Sequence, residues 1–233
     1  MVGVGRRVRR IVVALAGALL AGNALAQVAA EAGIASDNIY RGVSLNAGAP
    51  APVLDLSFDG SAGWYVGGSA SAVRFYQQYH SSAQIVLDAG YARATAAGIA
   101  WEVGATTSDF PDFAFYNYTQ MFAGLAADNW NARVYFAPDY FGRHLRTVYA
   151  EFDYAHALGE RVRLLAHVGA LQGLSAQTRS NAPTVDASLG VGVKLRAVDV
   201  RLAWVARSRA NYLYPVARGD TRHTWELSIA YVY

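Results

Sequence analysis

Apolar and polar residues alternate along most of this chain with a period of two. The alternation is clearest over residues 223–233, where Trp225, Leu227, Ile229 and Tyr231 are separated by small or polar residues. Successive side chains of a β-strand point to opposite faces, so this stretch is predicted to be a strand with one large apolar face and one polar face. Aromatic residues lie at both ends of the apolar face, as they do in strands that cross a membrane. An ordinary strand of a soluble sandwich is the alternative.

The same alternation divides the chain after residue 27 into about twelve predicted strands, with about ten or fourteen as the alternatives. Their apolar faces include Ile85, Leu87, Val185 and Leu189. The strand at 115–126 is ambiguous, because its large apolar residues fall on both faces. The predicted strands are 28–40, 53–59, 63–73, 82–93, 98–106, 115–126, 130–139, 146–157, 161–171, 183–195, 198–207 and 223–233.

The connections between these predicted strands alternate between long and short along the chain. This is the pattern of a barrel in the outer membrane, with short periplasmic turns and longer external loops. No apolar run long enough for a spanning helix follows residue 26, and a membrane protein without spanning helices must be a closed barrel, since unpaired backbone groups cannot face lipid. We therefore predict an all-β, up-and-down antiparallel transmembrane β-barrel with both termini in the periplasm.

Charged side chains occupy the face opposite the apolar one in most predicted strands. In a soluble sandwich they would form the solvated face. Here the apolar face continues around every strand and leaves no second sheet to cover it, so the charged residues are predicted to line a lumen. The pore-lining candidates are Arg133, Glu151, Asp153, Arg163, His167, Arg201 and Glu226.

Residues 1–26 have the composition of a cleaved secretory signal peptide. Arginines between Arg6 and Arg10 precede a short apolar run, and Ala24-Leu25-Ala26 fits the small-x-small cleavage pattern. We expect residues 27–233 to form the mature barrel. A retained membrane anchor is the alternative, which the cleavage pattern disfavours.

Removal of the signal peptide changes the net charge. The sequence has 20 Lys and Arg against 17 Asp and Glu, and residues 1–26 hold four Arg and no acid, so 20 − 4 = 16 basic residues remain against 17 acidic ones. The basic isoelectric point therefore gives no support for nucleic-acid binding. The sequence has no cysteine, which excludes disulfides, thiolate metal sites and cysteine nucleophiles.

Basic residues gather in two of the predicted external loops. A rim of one sign raises the local concentration of oppositely charged solutes, and arginine pairs well with carboxylates and phosphates. A preference for small anions is one interpretation, and contacts with lipopolysaccharide phosphates or simple solvation are the other. The candidates for the external mouth are Arg143, Arg146, Arg207, Arg209, Arg218 and Arg222.

Two segments resemble the TorF family of proteobacterial porin-like proteins. The first is residues 36–44 (SDNIYRGVS), followed by a polar loop with Pro50 and Pro52, and the second is residues 135–142 (YFAPDYFG). An aromatic residue more often follows the aspartate directly in that family, so residues 38–40 are a departure. The resemblance covers most of the mature chain and implies an outer-membrane barrel with a pore, for a solute that is not established.

These two segments are interpreted as architectural rather than as solute contacts. Gly42 suits a bend at the barrel rim, where Arg41 would pair with Asp37 or with a loop carboxylate. Pro138 would end strand pairing, and Asp139 would close a turn. The residues concerned are Ser36, Asp37, Arg41, Gly42, Pro138, Asp139 and Tyr140.

Signatures of catalysis are missing from the sequence, which has no G-x-S-x-G, H-E-x-x-H or P-loop motif. His167 falls on the inward face with Glu151 and Asp153 within reach, and is interpreted as a hydrogen-bonded histidine of the lumen. No metal site and no cofactor are predicted, and the chain is not expected to be an enzyme.

Three functions are open at this point. The first is a channel for passive diffusion of small hydrophilic solutes, because about twelve strands lie between the filled eight-stranded barrels and the wider barrels with an aqueous pore. The second is a non-conducting structural or adhesive barrel held shut by ion pairs, and the third and least supported is an outer-membrane enzyme. The expected partners are outer-membrane lipid and lipopolysaccharide, the solutes, and the barrel-assembly machinery, which by resemblance to other such barrels would read the terminal aromatic residue. No nucleic acid is expected.

Overall fold

The computed structural model describes residues 27–75, 81–179, 181–208, 213–215 and 222–233. The predicted signal peptide, Arg209 and Arg218 lie outside these residues. A small hairpin, β2 (Ile39–Tyr40) and β3 (Val43–Ser44), stands apart from the main sheet. The strands of the main sheet are β1 (Gln27–Ala35), β4 (Ala51–Asp59), β5 (Trp64–Val73), β6 (Ser82–Ala94), β7 (Ala100–Asp109), β8 (Tyr118–Ala127), β9 (Trp130–Ala137), β10 (Thr147–Ala157), β11 (Val162–Gly173), β12 (Thr184–Leu195), β13 (Val198–Arg207) and β14 (His223–Val232).

The main sheet is closed into a barrel. Each strand pairs antiparallel with the strands before and after it, and β1 completes the ring by pairing with β14 as well as with β4. At the closing seam Ala32 is paired with Tyr231 and Ile34 with Ile229. The structure is therefore a twelve-stranded, up-and-down antiparallel barrel, which confirms the predicted fold class. Closure satisfies the backbone groups that an open sheet edge would expose to lipid.

Short and long connections lie at opposite ends of the barrel, as the sequence predicts. The short-turn end holds residues 60–63, 95–99, 128–129, 158–161 and 196–197. The other six connections, loops 1 to 6, begin and end at the long-loop end, and their described residues are 36–50, 74–75 with 81, 110–117, 138–146, 174–179 with 181–183, and 208 with 213–215 and 222. The first strand begins and the last strand ends at the short-turn end.

The faces of the strands follow the predicted alternation. On β14, Trp225 and Ile229 are exposed on the outside of the barrel, whereas Glu226 and Ser228 are buried inside it. The predicted outward residues Ile85, Leu87, Val185 and Leu189 are likewise exposed. The wall therefore presents an apolar surface outward and polar side chains inward. Among the described residues no helix is long and apolar enough to cross a membrane.

Two predicted strands differ from the structure. The first was predicted to continue to residue 40, but β1 ends at Ala35 and the chain then turns into the barrel. In the ambiguous segment, Phe115 belongs to a short 3₁₀ helix (Pro111–Tyr116), and β8 begins only at Tyr118. The ring of Phe115 therefore lies on neither face of β8. Met121 faces outward and Phe122 faces inward.

A buried apolar core fills the long-loop end of the barrel. Phe75 of loop 2 packs against Phe110 and Phe113 of loop 3, with ring centroids 5.0 and 5.4 Å apart. The apolar side chains on the outside of the wall are exposed. The apolar side chains that are shielded from solvent are therefore the ones inside the barrel at this end. The loops are therefore packed against one another. The other buried members from the loops are Val43, Leu45, Tyr140, Phe141, Leu145, Leu213 and Tyr214.

Candidate functional site

The pore-lining candidates all lie on the inward side of the barrel wall. Six of them fall into three clusters, described below, and Glu226 lies outside these clusters. The Oε1 atom of Glu226 is buried without a hydrogen-bond partner among the described residues. The inward placement follows from the pairing register, since each candidate alternates with residues of its own strand that face outward.

The first cluster is a buried ion pair between Arg133 on β9 and Glu102 on β7. Arg133 Nε donates to Oε1 at 2.5 Å and NH2 to Oε2 at 2.8 Å, which is the strong fork geometry of arginine and carboxylate. Tyr65 donates a further hydrogen bond to Oε2 at 2.9 Å. Gly124 lies between the two partners on β8, and a Cβ there would come within 2.8 Å of both side chains. The glycine therefore lets the pair bridge the intervening strand.

The second cluster is His167 on β11, which lies between two carboxylates. Its Nδ1 is 2.7 Å from Asp153 Oδ1 and its Nε2 is 2.9 Å from Asp186 Oδ1. Carboxylates only accept hydrogen bonds, so the two contacts together require an imidazolium with a proton on each nitrogen. His167 therefore has no free nitrogen with which to activate a hydroxyl as a general base.

Among the described residues, Glu151, Asp153 and His167 are close enough to hold a metal ion, with ligand atoms within 4.8 Å of one another. Oxygen and imidazole ligands suit several divalent metals. However, His167 already contacts Asp153, and Glu151 accepts a hydrogen bond from Tyr135 at 3.0 Å. An ion would have to displace these contacts, so we assign none. The absence of a metal and of a cofactor stays a prediction.

The third cluster lies nearer the short-turn end, around Asp199 on β13. Arg163 NH2 donates to both carboxylate oxygens, at 2.7 and 2.6 Å, and Arg201 Nε donates at 2.8 Å. Arg163 reaches across β12 above Gly192, where a Cβ would lie 2.6 Å from its guanidinium carbon. Glycine at the crossed strand thus permits a second bridge of the same kind as the first.

Loop 1 crosses the lumen on the long-loop side of these clusters. At one end, the Asn38 amide donates to Ser71 Oγ at 3.0 Å on β5. At the tip, Arg41 and Gly42 have φ angles of 51° and 73° and turn the chain back on itself. Gly42 lies against the wall near Asp186 on β12 and Arg207 on β13, whose Cβ atoms would be 2.8 and 3.2 Å from a Cβ at position 42. The loop therefore reaches across the barrel from β5 to β12, which are five strands apart in the ring of twelve and so nearly opposite.

The side chain of Arg41 is buried among tyrosine rings at the centre of this loop. NH1 donates to Tyr140 Oη at 3.2 Å and NH2 to Gln120 Oε1 at 3.1 Å. Among the described residues no carboxylate contacts it, so a buried guanidinium is held by neutral acceptors and cation–π contacts. The guanidinium carbon lies near the ring centroids of Tyr149 (3.9 Å), Tyr40 (4.7 Å), Tyr135 (5.2 Å) and Tyr140 (5.7 Å), which together form the tyrosine cage.

The predicted rim pair of Arg41 is therefore wrong. The positive φ angles at the loop tip turn Arg41 into the lumen, away from Asp37. Asp37 accepts instead a hydrogen bond from Ser44 Oγ at 3.0 Å. Burial raises the pKa of the Asp37 carboxyl, and the bond from Ser44 lowers it in part. Ser36 ties the start of the loop to the wall, because its hydroxyl accepts a hydrogen bond from the backbone of Leu227 at 3.0 Å.

The second motif segment meets the first inside the barrel. Pro138 directly follows the end of β9, and Asp139 Oδ1 accepts a hydrogen bond from the His144 backbone at 2.5 Å in loop 4. Tyr140 then turns inward and accepts from Arg41. Burial raises the pKa of Tyr140 well above its usual range, so its hydroxyl is neutral in this contact.

The candidates for the external mouth do not share one location. Arg143, Arg146 and Arg222 are exposed at the long-loop end. Arg207 is the last residue of β13 at the same end, where it is buried and faces the lumen beside Gly42. The remaining two, Arg209 and Arg218, lie outside the described residues.

A cavity of about 80 Å³, partly open to solvent, lies beneath loop 1. Hydroxyl and amide groups line one side, and charged groups of the first two clusters line the other. Elsewhere the inward side chains are tightly covered, since Glu31 and Asp55 are only 1% and 4% exposed. The lining includes Ser69, Ser71, Gln84, Asp88, Thr106, Ser108, Gln120, Arg133, Glu151 and His167, with Tyr40 and Arg41 from loop 1.

The aromatic residues of the lumen were missed in the sequence. They lie on the polar parity of their strands, and glycine on a neighbouring strand makes room for the ring. A Cβ at Gly90 would lie 2.5 Å from Tyr65 Oη, and a Cβ at Gly104 would lie 2.6 Å from Phe122 Cζ. An aromatic residue on the polar face, with glycine at the paired position, is the signal that would have found them.

Comparisons with known proteins agree with this barrel. The model of a family described as "Bacterial protein of unknown function (Gcw_chp)" matches residues 21–230. No curated protein matches the sequence. The structure is similar to "KdgM porin in complex with disordered oligogalacturonate" (TM-score 0.53, 9% identity, covering 89% of this chain and 98% of that one) and to the NanC porin (TM-score 0.54, 9% identity, 88% and 99%). At such low identity the likeness shows a shared fold.

Proposed function

The chain belongs to the Gcw_chp family of bacterial proteins, and we propose that it is an outer-membrane channel for passive diffusion of small hydrophilic solutes. The observation that carries the proposal is a cavity whose lining includes hydroxyl, amide and charged side chains, inside a closed barrel with an apolar outer surface. Such a wall separates a watery path from lipid without exposing any backbone group. The shared fold with the KdgM and NanC porins supports the proposal.

The location and the partners are part of the same proposal. We place the barrel in the outer membrane of a Gram-negative bacterium, with the short-turn end and both termini in the periplasm. Lipid would contact the exposed apolar residues of the wall, and lipopolysaccharide would contact the exposed arginines of the long loops. The barrel-assembly machinery would insert the chain. The resemblance to the TorF family stays a prediction.

The charge of the lumen supports a preference for cations. The arginines predicted at the external mouth favour the opposite preference, for anions. In a narrow lumen the nearest charges set the field that a solute meets. Inward carboxylates outnumber inward basic groups among the described residues. The carboxylates are Glu31, Asp37, Asp55, Asp59, Asp88, Glu102, Glu151, Asp153, Asp186, Asp199 and Glu226, and the basic groups are Arg41, Arg133, Arg163, Lys194, Arg201 and Arg207, with His167.

A non-conducting structural barrel is the second candidate. The observation that favours it is the burial of inward side chains, which shows that little free space is left outside the cavity. An enzyme has less support, because both nitrogens of His167 are engaged with carboxylates.

Ion currents across a planar bilayer test the proposal. Purified protein that migrates as a folded, heat-modifiable species should produce discrete current steps. A folded barrel that passes no current, even after loop 1 has been released as described below, would favour the structural candidate instead.

A further inference from the structure

We propose that loop 1 is a displaceable plug of the channel and that Arg41 is its latch. In this arrangement the cavity conducts when the guanidinium group leaves the tyrosine cage. The inference rests on the proposed channel function and assigns a regulatory device to the same lumen.

The position of loop 1 makes it a plug. It crosses the lumen between Ser71 on β5 and Asp186 on β12, and Tyr40 and Arg41 line the cavity on the side of the loop. A solute that passes from the long-loop end to the cavity would meet this loop. A continuous path therefore requires the loop to move.

The chemistry of the latch suits reversible release. Arg41 is held by neutral tyrosine rings, one tyrosine hydroxyl and the Gln120 carbonyl. When a buried ion pair is broken, an uncompensated charge stays behind, which makes the step costly. Among the described residues Arg41 makes no ion pair, so no hydrogen-bonded carboxylate stays behind when it moves, in contrast to Arg133, which would leave Glu102. The Arg133 pair is a fixed brace of the wall, and the Arg41 contact is exchangeable.

The backbone of the loop tip favours release as well. Arg41 has a φ angle of 51° and is followed by Gly42 at 73°. A left-handed conformation is strained for a residue with a side chain, and it persists only where surrounding contacts hold it. The cage supplies those contacts, so loss of the cage should let the tip relax.

Single-channel recording of Arg41 variants tests the latch. Arg41→Ala should raise the open fraction by about tenfold, which is the effect of about 1.4 kcal/mol. Arg41→Lys keeps the charge but loses the planar fork, so its open fraction should lie between those of the alanine variant and the wild type. Arg93→Ala is the matched control, because it removes the same charge from an exposed position on the outer face. Equal open fractions in all four proteins would overturn the latch.

A disulfide lock tests the plug without relying on the loss of Arg41. The chain has no cysteine, so an introduced pair is unique. Tyr40 in loop 1 reaches Gln120 on β8, and its hydroxyl donates to Gln120 Oε1 at 3.3 Å, so cysteines at these two positions can be joined by a bifunctional thiol reagent that forms reducible disulfides. The cross-linked Tyr40→Cys/Gln120→Cys variant should be closed, and a reducing agent should restore currents, while the current through each single variant should be the same with and without these reagents.

The outcomes separate the plug from the channel. Currents that are the same before and after reduction of the double variant would overturn the plug and leave the channel intact. If the folded wild type, Arg41→Ala and the reduced double variant all pass no current, the proposed channel function is wrong, and so is the plug.

Discussion

The guanidinium carbon of Arg41 lies 3.9 Å from the centre of the Tyr149 ring. Arg41 comes from the first long loop and Tyr149 from β10, so the contact joins a connection to the far wall of the barrel. Arg41, which the sequence analysis places at the barrel rim, is therefore found inside the lumen.

The facing of β7 predicts opposite effects for arginine at two nearby positions. Val103 is exposed on the outer surface, whereas Thr106 lines the cavity and is paired with Asp88. Val103→Arg should destabilise the barrel by about 2–4 kcal/mol, the cost of arginine facing the bilayer midplane. Thr106→Arg should fold normally. Urea unfolding from lipid vesicles measures both, and equal losses would contradict the assigned faces.

The Arg133–Glu102 bridge should behave as one coupled unit. Glu102→Gln leaves a buried guanidinium without its counter-ion and should cost about 3–5 kcal/mol. The double variant Glu102→Gln/Arg133→Met should lose clearly less than the sum of the two single losses. A double-mutant cycle in urea gives the coupling energy. Additive losses would show that the bridge does not brace the wall.

The closing seam should be required for assembly. Tyr231 pairs with both Ala32 and Val198, and the Tyr233 backbone donates to Ala30 at 2.9 Å. Deletion of residues 231–233 leaves the neighbouring strands unpaired in lipid, so the truncated chain should lack the heat-modifiable folded band. Tyr233→Phe keeps the backbone and should assemble normally. A folded band from the truncated chain in outer membranes would contradict this seam.

The lumen carboxylates should set the ion preference. Asp88 lines the cavity, so Asp88→Asn should move the reversal potential in a salt gradient toward anions. The shift should shrink at higher ionic strength, where screening shortens the field. Asp128→Asn removes the same charge from an exposed turn and should have a smaller effect. A wild-type channel that prefers anions would point to the mouth arginines instead.

The sequence predicts the wall of this barrel well, because a wall with an apolar outer surface follows one simple rule. Every second residue of a spanning strand must be apolar, and Leu189 and Trp225 follow that rule in the structure. The strand number and the order of long and short connections follow from the same alternation.

The position of loop 1 inside the lumen does not follow from that rule. The first predicted strand, 28–40, includes Ile39 and Tyr40, although they fold into the lumen. Their place is decided by the turn at Arg41 and Gly42 and by distant tyrosines such as Tyr149. Contacts between residues far apart in the chain leave no period in the sequence. The role of Arg41 could therefore be found only from the structure.

The central claim is that ions pass through the lumen of this barrel. The most direct measurement is single-channel recording across a planar bilayer, with folded wild-type protein and folded Arg41→Ala side by side. The account predicts discrete current steps in both, with a larger open fraction in the variant. A bilayer that stays silent with both folded proteins would contradict it.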